Sequence, residues 1–171
     1  MSIQSKIVAE IFEEEKEKSG VIAVNVLGSV AQGKENKDSD VDIQIVSESA
    51  RNWSLENKKR YGVKIDFEIY PKNKLVERVK KYPFLCYIYL NAKTIYDPTK
   101  FMEETLSEIR EYFKVNTNIL KFWKDKIRIK KELKTKDLGD GFSIKCYDEA
   151  ELLFSEEHRI TRDFFLGKNN L

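Results

Sequence analysis

The stretch GSVAQGKENKDSDVDIQIV, residues 28–46, decides how this chain is read. A Gly28-Ser29 pair follows the apolar run VIAVNVL at 21–27, which Gly20 and Gly28 bound. Such a run suits a buried strand, and 28–33 reads as a turn opening a short helix. After a polar loop at 34–39, polar and apolar residues alternate from Asp40 to Val46, the pattern of a strand. Residues two apart in a strand share a face. Asp40 and Asp42 therefore project together, while Val41, Ile43 and Ile45 turn to the core. The segment 64–70, KIDFEIY, repeats the pattern. Ile65, Phe67 and Ile69 face inward, and Asp66 and Glu68 face the opposite side. If the two strands are neighbours in register, three or four carboxylates converge on one patch.

Like charges a few ångströms apart repel in a partly buried site, and a divalent cation removes the repulsion. Carboxylate oxygens are hard ligands suited to Mg²⁺, which takes phosphate oxygens and water to complete its shell. Two such ions held by three carboxylates can activate a hydroxyl and stabilise departing pyrophosphate. The Gly28-Ser29 turn adds the complementary part. Glycine lets the backbone approach a phosphate, and N–H groups at a helix start, with the Ser29 hydroxyl, bind an anion. Both halves predict one ligand, a metal-bound nucleoside triphosphate.

Outward from this stretch, residues 3–18 place Ile3, Ile7, Val8, Ile11 and Phe12 on one helical face. Residues 47–61 show no clear period and are left open between loop, helical turn and extra strand. A short helix is expected over 75–81, ending before Pro83. Another apolar, helical segment follows at 84–90, then an edge strand at 93–96 before Asp97-Pro98. Beyond Pro98, Phe101, Leu106, Ile109, Tyr112, Phe113, Ile119, Leu120, Trp123 and Ile127 recur at helical spacing. They form one long helix or two broken near Asn116-Thr117-Asn118. A glycine-containing hinge at 138–141 leads to a last amphipathic helix with Leu152, Leu153, Phe154, Ile160, Phe164 and Phe165, ending at Gly167. The fold class is α/β (α+β): a small mixed β-sheet with helices on one face over 1–98, then a helical bundle over 99–171.

Bulk properties exclude several classes. With 31 basic and 29 acidic residues the net charge is +2, so no global basic field exists to hold duplex DNA. Cys86 and Cys146 are far apart and carry no partner motif, which reads as a reduced, cytoplasmic protein. One histidine, His158, without a Cys or His cluster, makes no zinc site and reads as an ordinary surface residue. No apolar run reaches the roughly 20 residues that span a bilayer, and no signal-peptide core opens the chain. The basic run KFWKDKIRIKKELKTK at 121–136 reads first as a solvated helix face. Its alternative is a patch meeting an acidic acceptor or RNA phosphates. Trp123, Phe122 and Tyr112 read as core residues before a stacking platform.

The Gly-Ser pair, spacer, Asp40-Val41-Asp42 and later Asp66 on a separate strand resemble the signature of the polymerase-β-type nucleotidyltransferase superfamily. The chain is most similar to the minimal nucleotidyltransferases of bacteria and archaea, over roughly residues 5–98. The IYDP at 95–98 also resembles the close of their domain. The resemblance implies that Gly28 and Ser29 hold the triphosphate, and that Gly33 and Ser39 complete the nucleotide-binding set. It implies that Asp40, Asp42 and Asp66 bind two Mg²⁺ ions and carry the catalysis, with Asp66 helping to deprotonate the acceptor. Gln32 departs from the family pattern: many small relatives carry Arg there, and a positive charge near the phosphates is missing.

The activity so implied moves a nucleoside monophosphate, AMP from ATP being expected, to a hydroxyl of a small-molecule acceptor. Two other readings remain open. In one, the acceptor is a helical partner protein of the HEPN type, as for antitoxin relatives. In the other, the chain is a non-catalytic nucleotide-binding module of the same fold.

Overall fold

The computed structural model describes residues 1–132, 137–139, 142–143, 151–153, 155–156 and 158–168. Its organising feature is the pairing of two strands from the segments just discussed. Strand β2, Val41–Ser47, runs parallel to β4, Val63–Pro71, with Asp42 opposite Asp66 and Ile43 opposite Phe67. β1, Val21–Leu27, flanks β2 antiparallel, and β5, Lys93–Tyr96, flanks β1 antiparallel. β3, Ser54–Arg60, flanks β4 antiparallel. The five-stranded mixed sheet has the order β3-β4-β2-β1-β5.

Helix α1, Ile3–Lys16, covers one face of this sheet. Its N-terminus is capped by Ser2, whose Oγ accepts the Ser5 N–H at 3.1 Å. Gln4, Ile7, Ile11 and Glu15 form its buried stripe, three or four residues apart. Ile7 and Ile11 join Val24, Val26, Val41, Ile43, Ile45, Ile65 and Phe67 in one core, with Val8 packed beside them. Ile3, expected on the same face, stays exposed in the first turn. The helix α2, Gly28–Ala31, follows β1 directly.

β3 occupies the stretch left open by the sequence. All of its residues but Arg60 are exposed, so backbone pairing with β4, not side-chain burial, makes it a strand. A two-residue turn, Tyr61-Gly62, joins the two with φ of 53° and 83°, the conformation that matches strand twist in tight hairpins. Arg60 ties that turn to α1 through Glu10 and Glu14, both at 3.0 Å, and the Tyr61 hydroxyl donates to Glu10 at 2.8 Å.

By contacts the chain forms two compact units: 1–75 with 91–105, and 76–90 with 106–171. In the second unit, α3, Leu75–Lys81, runs on from the first, and α4, Cys86–Leu90, follows a single turn of 3₁₀ helix. The long apolar repeat is two helices, α5, Phe101–Val115, and α6, Thr117–Glu132, parted at Asn116. α5 starts on Asp97 of the IYDP segment, whose carboxylate accepts the Phe101 and Met102 N–H groups at 2.8 and 2.9 Å. Trp123 is buried edge-on to Tyr82 and Phe84 and donates its indole N–H to Lys81 O at 3.1 Å. Phe122, grouped with it from the sequence, is exposed, because a neighbour one residue on points about 100° around the helix.

At the glycine-containing segment, β6, Asp137–Gly139, pairs antiparallel with β7, Phe142–Ser143, and residues 140–141 of the expected hinge lie outside the described residues. The last helical stretch is α7, Arg159–Phe165, preceded by helical residues at 151–153. His158 lies half-buried, edge-on to Tyr87. Residues 133–136 of the basic run, Cys146 and Phe154 lie outside the described residues. Within that run, Arg128 pairs with Glu132 at 3.0 Å along exposed helix surface. No described helix is long and apolar enough to cross a membrane.

Candidate active site

Strand alternation sends Asp42 and Asp66 away from the α1 core onto the other face of the sheet. Direct register between β2 and β4 then sets them side by side. Asp40 lies one residue ahead of β2, at the end of the 34–40 loop, and shares that face. One carboxylate oxygen each from Asp40, Asp42 and Asp66 lies within 4.8 Å of the others. Asp40 is exposed, while Asp42 and Asp66 are half-buried. Glu68, one step further along β4 beside Gln44, falls outside this group.

The loop carrying Asp40 is held by a residue that the sequence did not single out. Gln4, 2% exposed on α1, donates through Nε2 to Asn36 O at 2.7 Å and Ser39 O at 3.1 Å. Its place on the stripe 4, 7, 11, 15 was the available signal: a polar residue on an apolar helix face needs a partner when buried. Within the loop, Ser39 Oγ accepts the Asn36 N–H at 3.0 Å and Asn36 Oδ1 accepts that of Asp38 at 2.9 Å. Ser39, expected beside the nucleotide, thus has its hydroxyl engaged in the loop's own turn. Below Asp42 a polar row crosses the sheet on the same face. Thr94 donates to Asn25 at 2.7 Å and Asn25 to Gln44 at 3.2 Å, tying β5, β1 and β2 in register.

Gly28, at φ +63°, closes against Asp42: a Cβ on it would collide with Asp42 Oδ2. Gly33 also has a positive φ, +64°, but faces open space. Ser29 and Gln32 are half-buried. Opposite the acids, Lys64 Nζ lies 2.6 Å from Asp66 Oδ2. That hydrogen bond holds the ammonium above its ordinary range against a smaller desolvation effect, helped by the charges of Asp66, Asp40 and Asp42. The other Asp66 oxygen, Oδ1, is buried and meets no hydrogen-bond partner among the described residues.

These residues fit a divalent cation. One oxygen from each of the three acids within 4.8 Å of the others, an unpartnered buried oxygen on Asp66, and a notch that only glycine leaves open beside Asp42 form an all-oxygen donor set of the kind hard cations take.

A family model for the nucleotidyltransferase domain matches residues 6–136. The chain belongs to that family. The match includes the whole acid cluster, the Gly28-Ser29 turn and all five strands of the main sheet, in agreement with the resemblance carried by the motif. No curated protein matches the sequence of this nucleotidyltransferase. Among solved structures, a nucleotidyltransferase-like protein from Exiguobacterium sibiricum aligns with 98% of this chain and 72% of its own, at TM-score 0.43 and 8% identity.

Proposed function

We propose that this nucleotidyltransferase moves a nucleoside monophosphate, AMP from ATP being the expected case, to a hydroxyl of a small-molecule acceptor. The observation that carries the reading is the meeting of Asp40, Asp42 and Asp66 oxygens within 4.8 Å. Carboxylates this close repel one another, and positive charge placed beside them relieves the repulsion. The acceptor oxygen attacks the α-phosphorus, the bond from that phosphorus to the β-phosphate bridging oxygen breaks, and pyrophosphate leaves. The acceptor's proton passes to a carboxylate and then to water.

In this reading Asp40, Asp42 and Asp66 hold Mg²⁺, two ions being expected, which supplies charge to the triphosphate and acidifies the attacking hydroxyl. Asp66 helps to deprotonate the acceptor hydroxyl. Gly28 leaves the room that a side chain would take from Asp42 and, with Ser29, presents backbone N–H groups to the phosphates. Gly33 allows the chain to leave α2 by a positive φ. Ser39 contributes indirectly, by closing the loop that carries Asp40.

Incubation with α-labelled ATP, Mg²⁺ and a panel of hydroxyl compounds should release pyrophosphate and label an acceptor. Asp40→Asn with Asp42→Asn should lower that rate by at least about a thousandfold while circular dichroism stays unchanged, the scale expected when charge stabilisation of a transition state is lost. Turnover that persists in the double variant would refute the assignment.

A further inference from the structure

A cluster of three acids creates a problem whenever no metal is bound, and one residue of this chain answers it. Lys64 stands two positions before Asp66 on β4, so strand alternation puts both on the acid face. Its Nζ lies 2.6 Å from Asp66 Oδ2. The lysine side chain is 55% exposed and that of Asp66 19%, so the ammonium reaches in from solvent and can leave without opening the fold. Asp66 meanwhile keeps its second oxygen buried and without a hydrogen-bond partner among the described residues, an arrangement suited to a ligand yet to arrive.

We propose that Lys64 is a displaceable counter-ion: it offsets one charge of the acid cluster in the free protein, a divalent cation takes its place on Asp66, and the released ammonium then pairs with the anionic triphosphate. The inference rests on the proposed function, since the cation in question is the one that reading places on the acids. It also accounts for the positive charge that Gln32 does not provide. A half-exposed ion pair is weak, so a divalent cation competes with it successfully, and its removal has a bounded effect.

Mn²⁺ binding in the absence of nucleotide, followed by electron paramagnetic resonance, is the direct test. Lys64→Met should bind Mn²⁺ roughly three- to fivefold more tightly than wild type, the upper part of the range left by a weak competing pair. Lys64→Arg, which keeps the charge, should return to the wild-type value. Lys59→Met is the control for net charge, because Lys59 sits opposite Lys64 on β3. It should change affinity less than about twofold, as a solvated charge without a bond to the acids would.

At saturating Mg²⁺, Lys64→Met should also bind a non-hydrolysable triphosphate about tenfold more weakly, the loss of one charged partner. Equal Mn²⁺ affinity in wild type and Lys64→Met overturns the displacement. Unchanged triphosphate affinity overturns the ammonium's second role. If Asp66→Asn abolishes Mn²⁺ binding while Lys64→Met leaves it alone, the metal site stands and only this inference fails. If neither wild type nor Lys64→Met binds Mn²⁺, both fail together.

Discussion

At the scale of single residues, the two glycines of the GSVAQG turn separate two effects usually argued together. Gly28 and Gly33 share nearly the same positive φ, yet only Gly28 has a carboxylate where a Cβ would go. An alanine at 33 should cost only the backbone term, about 1 kcal/mol, and leave divalent-ion binding intact. Gly28→Ala should add the collision with Asp42, lower stability by about 2 kcal/mol and weaken Mn²⁺ binding at least tenfold. Urea unfolding and a Mn²⁺ titration of both variants would compare them. The carboxylates themselves were legible because strand alternation is rigid: once Asp40-Val41-Asp42 is read as strand, the face of each follows. The pairing of Asp66 with Asp42 was only conditional, since nothing in either segment states which strands become neighbours. Lys64 and Gln4 were not singled out, although alternation puts Lys64 on the face of Asp66 two residues on and Gln4 lies on the buried stripe of α1; the loop partners of Gln4, more than 30 residues away, leave no local pattern.

Among elements, the same contrast separates α1 and β2 from β3. α1 buries one stripe, and residues 40–45 alternate polar with apolar, so both periods are written in the sequence, although β2 is buried along almost its whole length. β3 buries almost nothing, and its sequence SLENKKR carries no period to read. Its place comes from the ladder offered by β4 and from Arg60 bound to Glu10 and Glu14. The junction of α1 with the 34–40 loop is where an element-level defect should reach the acids. Gln4→Ala leaves two carbonyls without their donor and should destabilise the protein by about 1–3 kcal/mol. Because Asp40 itself is exposed and depends on that loop for its position, the same variant should lose Mn²⁺ affinity several-fold with Asp42 and Asp66 untouched. A variant that melts earlier but binds Mn²⁺ normally would show that Asp40 does not depend on the anchor.

For the whole molecule, helical spacing beyond Pro98 offered a break near Asn116 as one of two readings and gave the buried Trp123, but not the grouping of 76–90 with the C-terminal helices. Contacts that distant in sequence leave no local pattern. Cys86 in that grouping offers a probe of global stability. It is fully buried, and burial pushes its thiol up to about 12 from an ordinary value near 9. Above pH 9 the unfolded chain releases this proton while the folded one keeps it, so stability present below pH 9 is lost as pH rises toward 12. The thiol's share of that decline is about 1.4 kcal/mol per pH unit. Denaturant unfolding of wild type and Cys86→Ala between pH 8 and 11 should show the steeper fall in wild type; parallel curves would mean that the thiol ionises in the folded protein.

Nucleotidyl transfer at this site requires that Asp40, Asp42 and Asp66 share a cation. A crystal grown with Mn²⁺ and a non-hydrolysable ATP analogue, and measured at the manganese edge, answers this in one anomalous map. The predicted result is a peak bonded to oxygens of all three aspartates and to the triphosphate, absent from Asp42→Asn crystals. A map with no peak among the three carboxylates, or with manganese held by the nucleotide alone, would contradict it.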